Sequence, residues 1–275
     1  MMSGKTGKRI LLFIVSLLFL AVFIFPLLMI FLNSMKSRLD IVRDPLGLPT
    51  ELSFVNYKEA YMTMNFSHAL MNSVIVTVLS VALIIVLSAM LAYFLVRWNW
   101  KINNYILMIL VSSMIIPFQA VMIPFVSIFG ELNMLNSKWW LAYFYLGFGL
   151  SLATFMYHGF VKGVPKELEE AALIDGAGKF RVFGQVVFPI LKPISTTLAI
   201  LDVLWIWNDF LLPSLVLISE EDRTLPLSTF YFFGKYTSDY GVAMAALVLS
   251  IIPVIIFYLF MQKQIIQGVV EGAVK

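Results

Sequence analysis

"EEAALIDGAGKFRVFGQVVFPILKP", residues 169–193, is the stretch on which the reading of this chain turns. The sequence on either side is dominated by Leu, Ile, Val, Phe and Met, whereas this segment carries acids, bases, three glycines and two prolines. Pro165, just upstream, suits the first position of a helix, where a missing N–H breaks no hydrogen bond. Glu167, Glu169 and Glu170 then fall near the positive end of the helix dipole. Gly176 predicts a stop in the left-handed conformation. That leaves a helix of about ten residues, too short to cross a bilayer and marginal alone in water. It therefore needs a surface to pack on. Ala171 and Ala172 would let a partner come close to the backbone, and Leu168 and Ile174 add apolar contact. A second amphipathic stretch follows, with Phe180, Val182, Phe183 and Val186 set against Lys179, Arg181 and Gln185. Physical chemistry leaves two readings open: a docking element for a cytoplasmic protein, or an ordinary hairpin at the membrane interface.

Composition supplies the surroundings. Hydrophobic residues make up 61% of the 275 and charged residues 13%, and the mean hydropathy is +0.92. A soluble domain carries about 25% charge, so lipid must solvate much of this surface. The chain has no cysteine, which excludes disulfide and thiolate chemistry. A net charge of +3, thinly spread, gives no reason to expect nucleic acid. Six apolar runs are long enough to cross a hydrocarbon core, at 10–32, 70–96, 105–129, 139–161, 186–217 and 242–262. The first is too long for the apolar region of a signal peptide, and no small-residue cleavage site follows it, so we expect it to be retained. Pro189, Pro193 and Pro213 predict kinks in the fifth. With the N-terminus inside, 12 of the 19 Lys and Arg residues are cytoplasmic and 7 are outside, 4 of the latter in one long loop at 33–69. This asymmetry places both termini, and the opening segment, in the cytoplasm. The organisation expected is a cytoplasmic N-terminus (1–9), a six-helix membrane domain (10–262) containing the 162–193 loop, and a cytoplasmic tail (263–275).

Glu170-Ala171-Ala172, three residues, Gly176, nine residues, then Val186-x-Phe188-Pro189 resembles the EAA loop of binding-protein-dependent ABC importer permeases. The family pattern has Ile and Leu where this chain has Val186 and Phe188, both apolar exchanges. Asp175-Gly176-Ala177 also matches the usual form. The likeness extends to Asn72-Ser73, "IIPFQAVMIPF" (115–125), "WNDFLLP" (207–213) and the tail "QGVVEGAVK" (267–275), which is similar to the end of the maltose-type subunit. The chain thus looks like a MalG-like permease of a carbohydrate uptake system of the oligosaccharide class. The resemblance implies an all-α fold of six spans, the type I importer (MetI-like) fold, with a cytoplasmic coupling helix. It implies that Glu170, Ala171, Ala172, Asp175, Gly176 and Pro189 contact an ATP-hydrolysing subunit. It also implies that Gly268, Gly272, Ala273, Val274 and Lys275 reach the same subunit. The partners implied are a MalF-like second permease, a dimer of ATP-binding subunits and an extracytoplasmic sugar-binding protein. The setting is the cytoplasmic membrane of a bacterium or archaeon. ATP and Mg would be held by the partner; this chain has no Gly-x4-Gly-Lys-Ser/Thr sequence and is expected to bind no cofactor and catalyse no reaction.

Polar residues inside apolar runs are costly and therefore informative. Asp202 and Asp209 are seven apart, which puts both on one helix face with Trp205 between them and Pro213 beyond. Trp with Asp and Asn208 suits a sugar, whose apolar ring face stacks on indole while its hydroxyls bond the polar groups. The competing reading is interhelical bonding to a second permease, or fixing of the bend at Pro213. Asn72 and Gln119 join the possible pathway, with helix–helix bonding as their alternative. Asp202 or Asp209 as a proton or cation site would instead fit an ion-coupled transporter or channel, although no internal repeat is visible. Ser151 and His158, two turns apart and ~10 Å along the axis, are too far apart for a nucleophile–base pair. Gly159-x-x-x-Gly163 would permit a close helix crossing.

Overall fold

The structure is a computed structural model that describes residues 3–49, 51–98, 100–235 and 239–273, with side chains described at 7–49, 51–98, 100–230 and 239–264. Every regular element among the described residues is helical. The chain divides into two compact units, residues 1–67 with 228–256, and residues 68–227 with 257–275.

In the first unit, α1 (Ser3–Asn33) is apolar on all sides from Ile10 onward and exposed from Ile10 to Leu28, as a span facing lipid must be. Two short helices follow, α2 (Arg38–Arg43), capped by Ser37, and α3 (Val55–Thr63). The Asn56 amide donates to Ser34 O and Lys36 O, both at 2.9 Å, pinning the turn after α1. Gly241 approaches the same place so closely that a Cβ there would lie 2.6 Å from Asn56 Nδ2 and 3.0 Å from Lys36 O.

The second unit contains most of α4 (Phe66–Arg97), then α5 (Lys101–Ser113), α6 (Phe118–Glu131) and α7 (Lys138–Lys162). A hairpin follows: α8 (Lys166–Ile174), α9 (Lys179–Val182), a wide π-turn at Phe183–Val187 and the short α10 (Phe188–Ile190). Next come α11 (Lys192–Asn208) and α12 (Leu211–Val216); α13 (Leu225–Lys235) and α14 (Tyr240–Ala273) cross the division between the units. The core of this unit is built from residues such as Ile84, Leu141, Tyr145, Tyr157, Leu191 and Leu198, all almost fully buried. Gly149 allows α7 to lie against α4, since a Cβ there would meet Ile84 Cδ1 at 2.5 Å. Phe125 and Phe129 of α6 pack on Phe144 of α7 with ring centroids 4.9 and 4.6 Å apart, a geometry that adds to simple burial.

Four helices are long and apolar enough to span a membrane: Gly7–Asn33, Phe66–Arg97, Lys138–Lys162 and Tyr240–Gln264. Two bent pairs bring the number to six if each is one span. The third apolar run is not the single helix expected over 105–129: α5 and α6 meet at 103°. Pro117 cannot donate to the preceding turn, and it forms the extended N-cap of α6. In the fifth run the helices ending at Ile190 and beginning at Lys192 are bent by 76°, in the region where Pro189 and Pro193 predict a break.

Candidate functional site: a helical hairpin and a broken span

Helix α8 begins after Pro165, which takes the N-cap rather than the first helical position, and carries Glu167 and Glu169 in its first turn. Its end forms a Schellman motif. Gly176 N–H donates to Leu173 O and Ala177 N–H to Ala172 O, both at 3.0 Å. Gly176 has φ +85°, the left-handed region, with open space around it. Glycine is needed there for its backbone alone.

The faces of the hairpin differ in detail from the expectation. Glu169 is buried, whereas Glu170 is exposed. Ala171 is exposed, but Ala172 packs partly against the unit's own core, so the two alanines do not form one open face. Ile174 and Phe180 are 85% and 82% exposed. Phe180 thus leaves the apolar set of the second stretch and joins the outer surface, while Val182 and Val187 turn inward. Asp175 and Pro189 are exposed. Leu168 is half-exposed beside this surface. The result is a short hairpin whose most exposed apolar side chains, Ile174 and Phe180, belong to a segment that also exposes Glu170, Asp175, Lys179 and Arg181.

At the opposite end of α4, Asn72 is only 3% exposed. Its amide donates to Glu221 O at 2.7 Å and Arg223 O at 3.1 Å, and its Oδ1 accepts from Lys138 Nζ at 2.9 Å. Ser73 Oγ accepts from Leu225 N–H at 2.8 Å. Asn72 therefore ties the loop before α13 to Lys138 at the start of α7. Gln119 lies exposed in the first turn of α6.

The stripe expected along the fifth run is interrupted. Helix α11 ends at Asn208, and Asp209 is extended at φ −75°, ψ 134°. Asp209 therefore cannot share a helix face with Asp202, and Pro213 lies buried in the separate α12. Asp209 fixes the break instead. Its Oδ1 accepts from Leu211 N–H and its Oδ2 from the Tyr145 hydroxyl, both at 2.9 Å. Asp202 is buried within its own unit, at 6% exposed, and its Oδ2 has no hydrogen-bond partner. Trp205 is 42% exposed and meets Tyr145 edge-on at 5.5 Å. Asn208 is exposed and donates to Leu204 O of its own helix at 2.7 Å. Ser151 Oγ bonds Ser113 Oγ at 2.8 Å, so its partner is not His158. His158, Gly159 and Gly163 line a groove, and no atom lies within 4 Å of where a Gly159 Cβ would stand. In the tail, Gly268, Gly272 and Ala273 continue α14 as helix, whereas Val274 and Lys275 lie outside the described residues.

Helices long and apolar enough to cross a membrane, with a short polar hairpin between two of them, are the architecture of a membrane component. The profile of the family described as "Binding-protein-dependent transport system inner membrane component" matches residues 84–271, and the chain belongs to that family. It is similar to the probable starch degradation products transport system permease AmyC of Thermoanaerobacterium thermosulfurigenes, with 46% identity over 91% of each chain. It is also similar to the melibiose/raffinose/stachyose import permease MelC of Bacillus subtilis, with 32% identity over 91% of each chain. In fold it resembles a chain of a bacterial ABC transporter involved in alginate import, with a TM-score of 0.78, 23% identity, and coverage of 94% of this chain and 97% of that one. Family membership sets aside the ion-coupled transporter and channel.

Proposed function

We propose that this chain is the MalG-like permease subunit of an ATP-driven importer of di- or oligosaccharides, of maltodextrin or raffinose type. The substrate class rests on relatives named for starch degradation products and for melibiose, raffinose and stachyose. A MalF-like second permease completes the pathway, a binding protein delivers sugar from outside, and a dimer of ATPase subunits inside holds ATP and Mg. Both termini are cytoplasmic: residues 1–9 precede the membrane domain at 10–262, and the tail at 263–275, with Gly268, Gly272, Ala273, Val274 and Lys275, contacts the ATPase.

The observation that carries this reading is the hairpin. Its short helix is capped at Gly176, seated on its own unit by Ala172 and Val182, and left with Ile174 and Phe180 almost wholly exposed. A protein cleft would cover apolar side chains that exposed on a polar segment. Glu170, Ala171, Asp175, Gly176 and Pro189 surround or shape that contact. ATP-driven closure of the cleft then moves the hairpin and biases the spans between inward-open and outward-open states. Trp205 and Asn208, exposed at the end of α11, would stack on and bond a passing sugar ring.

A tag on this chain should recover a second permease and an ATP-binding subunit from native membranes. The reconstituted complex should hydrolyse ATP faster with raffinose- or maltotriose-loaded binding protein. Recovery of the chain alone, fully active in ion-driven uptake, would overturn the assignment.

A further inference from the structure

The hairpin is held by the last turns of α4 and by Trp98 just beyond its end. Arg97 Nε donates to Glu169 Oε1 at 2.7 Å, and its Nη2 lies 2.6 Å from the same oxygen and 2.8 Å from Val164 O. The Tyr93 hydroxyl donates to Glu169 Oε2 at 2.8 Å. Beyond the Gly176 turn, Lys179 Nζ stands 5.1 Å above the Trp98 ring, and Phe183 packs on Tyr93 with centroids 5.4 Å apart. Both oxygens of Glu169 are thus engaged from one element, and the Arg97 and Glu169 side chains are each only 9% exposed. Opening such a pair without water to receive the charges leaves each uncompensated, so it resists separation. Arg97 also grips Val164, in the short turn between α7 and α8, and so limits pivoting there.

The other end of α4 is equally engaged. Asn72 and Ser73 hold the loop at 221–225 through three backbone groups. A helical rise of ~1.5 Å per residue places Asn72 and Arg97 about 37 Å apart. A continuous helix bonded firmly at both ends behaves as a rod.

We infer that Arg97, Glu169 and Tyr93 form a strut that makes α8 and the inner end of α4 move as one body, so that displacement of the hairpin is delivered along α4 to the loop at 221–225. The inference rests on the coupling role proposed above. These are positioning residues, since they face the membrane domain while Glu170, one residue on, faces outward. Linkage is reciprocal, so a strut that delivers hairpin displacement outward also lets binding outside bias the hairpin.

The test is the ratio of ATP hydrolysis with maltotriose- or raffinose-loaded binding protein to hydrolysis without it, in the complete reconstituted complex. Glu169→Gln removes the ion pair, and Tyr93→Phe removes one hydrogen bond while keeping the ring contacts with Trp98 and Phe183. With the ATPase still bound, Glu169→Gln should lower the ratio by roughly five-fold or more, and Tyr93→Phe by a smaller factor. A role in stability alone would lower both rates together and leave the ratio unchanged, and that result overturns the strut. If Glu169→Gln fails to assemble, Tyr93→Phe decides: a reduced ratio supports the strut, and an unchanged ratio overturns it. An unmodified complex with no bound ATPase or no stimulation overturns the coupling role itself, and it is read before any variant.

Discussion

The Asp209 carboxylate has two partners that lie on different elements. One is Leu211 N–H at the start of α12, and the other is the hydroxyl of Tyr145 in α7. The Leu211 N–H and the Tyr145 hydroxyl would otherwise lose the acceptor they share, and an unmade hydrogen bond to a buried group costs about 1–3 kcal/mol. Trp205 and Asn208 make no comparable tie between elements: one presents a ring edge to Tyr145, and the other bonds its own helix. The residues grouped by spacing as one possible pathway thus divide into a structural pin and an exposed pair. Asp209→Ala is expected to lower stability by about 1–3 kcal/mol, read as an earlier thermal unfolding midpoint in detergent. Trp205→Ala and Asn208→Ala should leave that midpoint within a degree or so and reduce raffinose or maltotriose uptake. The reverse pattern would make Trp205 a packing residue and Asp209 the pathway residue.

The hairpin is the element in which local and tertiary forces are most easily separated. Its helix ends where Gly176 allows a left-handed residue, which is local chemistry. Its orientation is not local: Ala172 and Val182 turn to the core, leaving Ala171, Ile174 and Phe180 outside. A large side chain at Ala172 would collide with the chain's own core, and over-packing of that kind costs about 1–3 kcal/mol. Ile174→Glu or Phe180→Glu alters a largely exposed side chain but would put charge into the proposed ATPase cleft. We expect Ala172→Trp to reduce the amount of folded protein in the membrane. Ile174→Glu and Phe180→Glu should insert normally and lose the ATPase in a pull-down. Retention of the ATPase by both charged variants would remove the docking surface from this face.

At the scale of the whole molecule, the quantity to test is the sidedness of the membrane-spanning helices. The proposed orientation, from the Lys and Arg asymmetry, would put the loop at 33–69 outside and the hairpin inside. The native chain has no cysteine, so single introduced thiols report without background. Leu48, 78% exposed, replaced by Cys should react with an impermeant thiol reagent in intact cells. Arg181→Cys should react only after the membrane is opened. Labelling of Arg181→Cys from outside would invert the topology and detach the hairpin from any cytoplasmic ATPase.

The sequence by itself determined that this is a helical membrane protein, because composition and run length are properties of the chain whatever its partners. It determined the hairpin's helix, its stop at Gly176 and its membership of the importer permeases, because caps, turns and motif spacing act over a few residues. Only the tertiary structure decided which of two adjacent glutamates is buried. Glu169 is drawn inward by Arg97, 72 positions earlier, and by Tyr93, 76 positions earlier, and no local pattern distinguishes it from Glu170. The same holds for Ala172 against Ala171, and for Asp209, taken out of the helical stripe where it bonds Tyr145 across 64 positions. The 103° bend between α5 and α6 lies between these cases: Pro117 marks a weak point in the helix, but the size of an angle is set by packing of the two arms. Periodicity reports the faces a helix has, and contacts between residues far apart in the chain decide which face is buried.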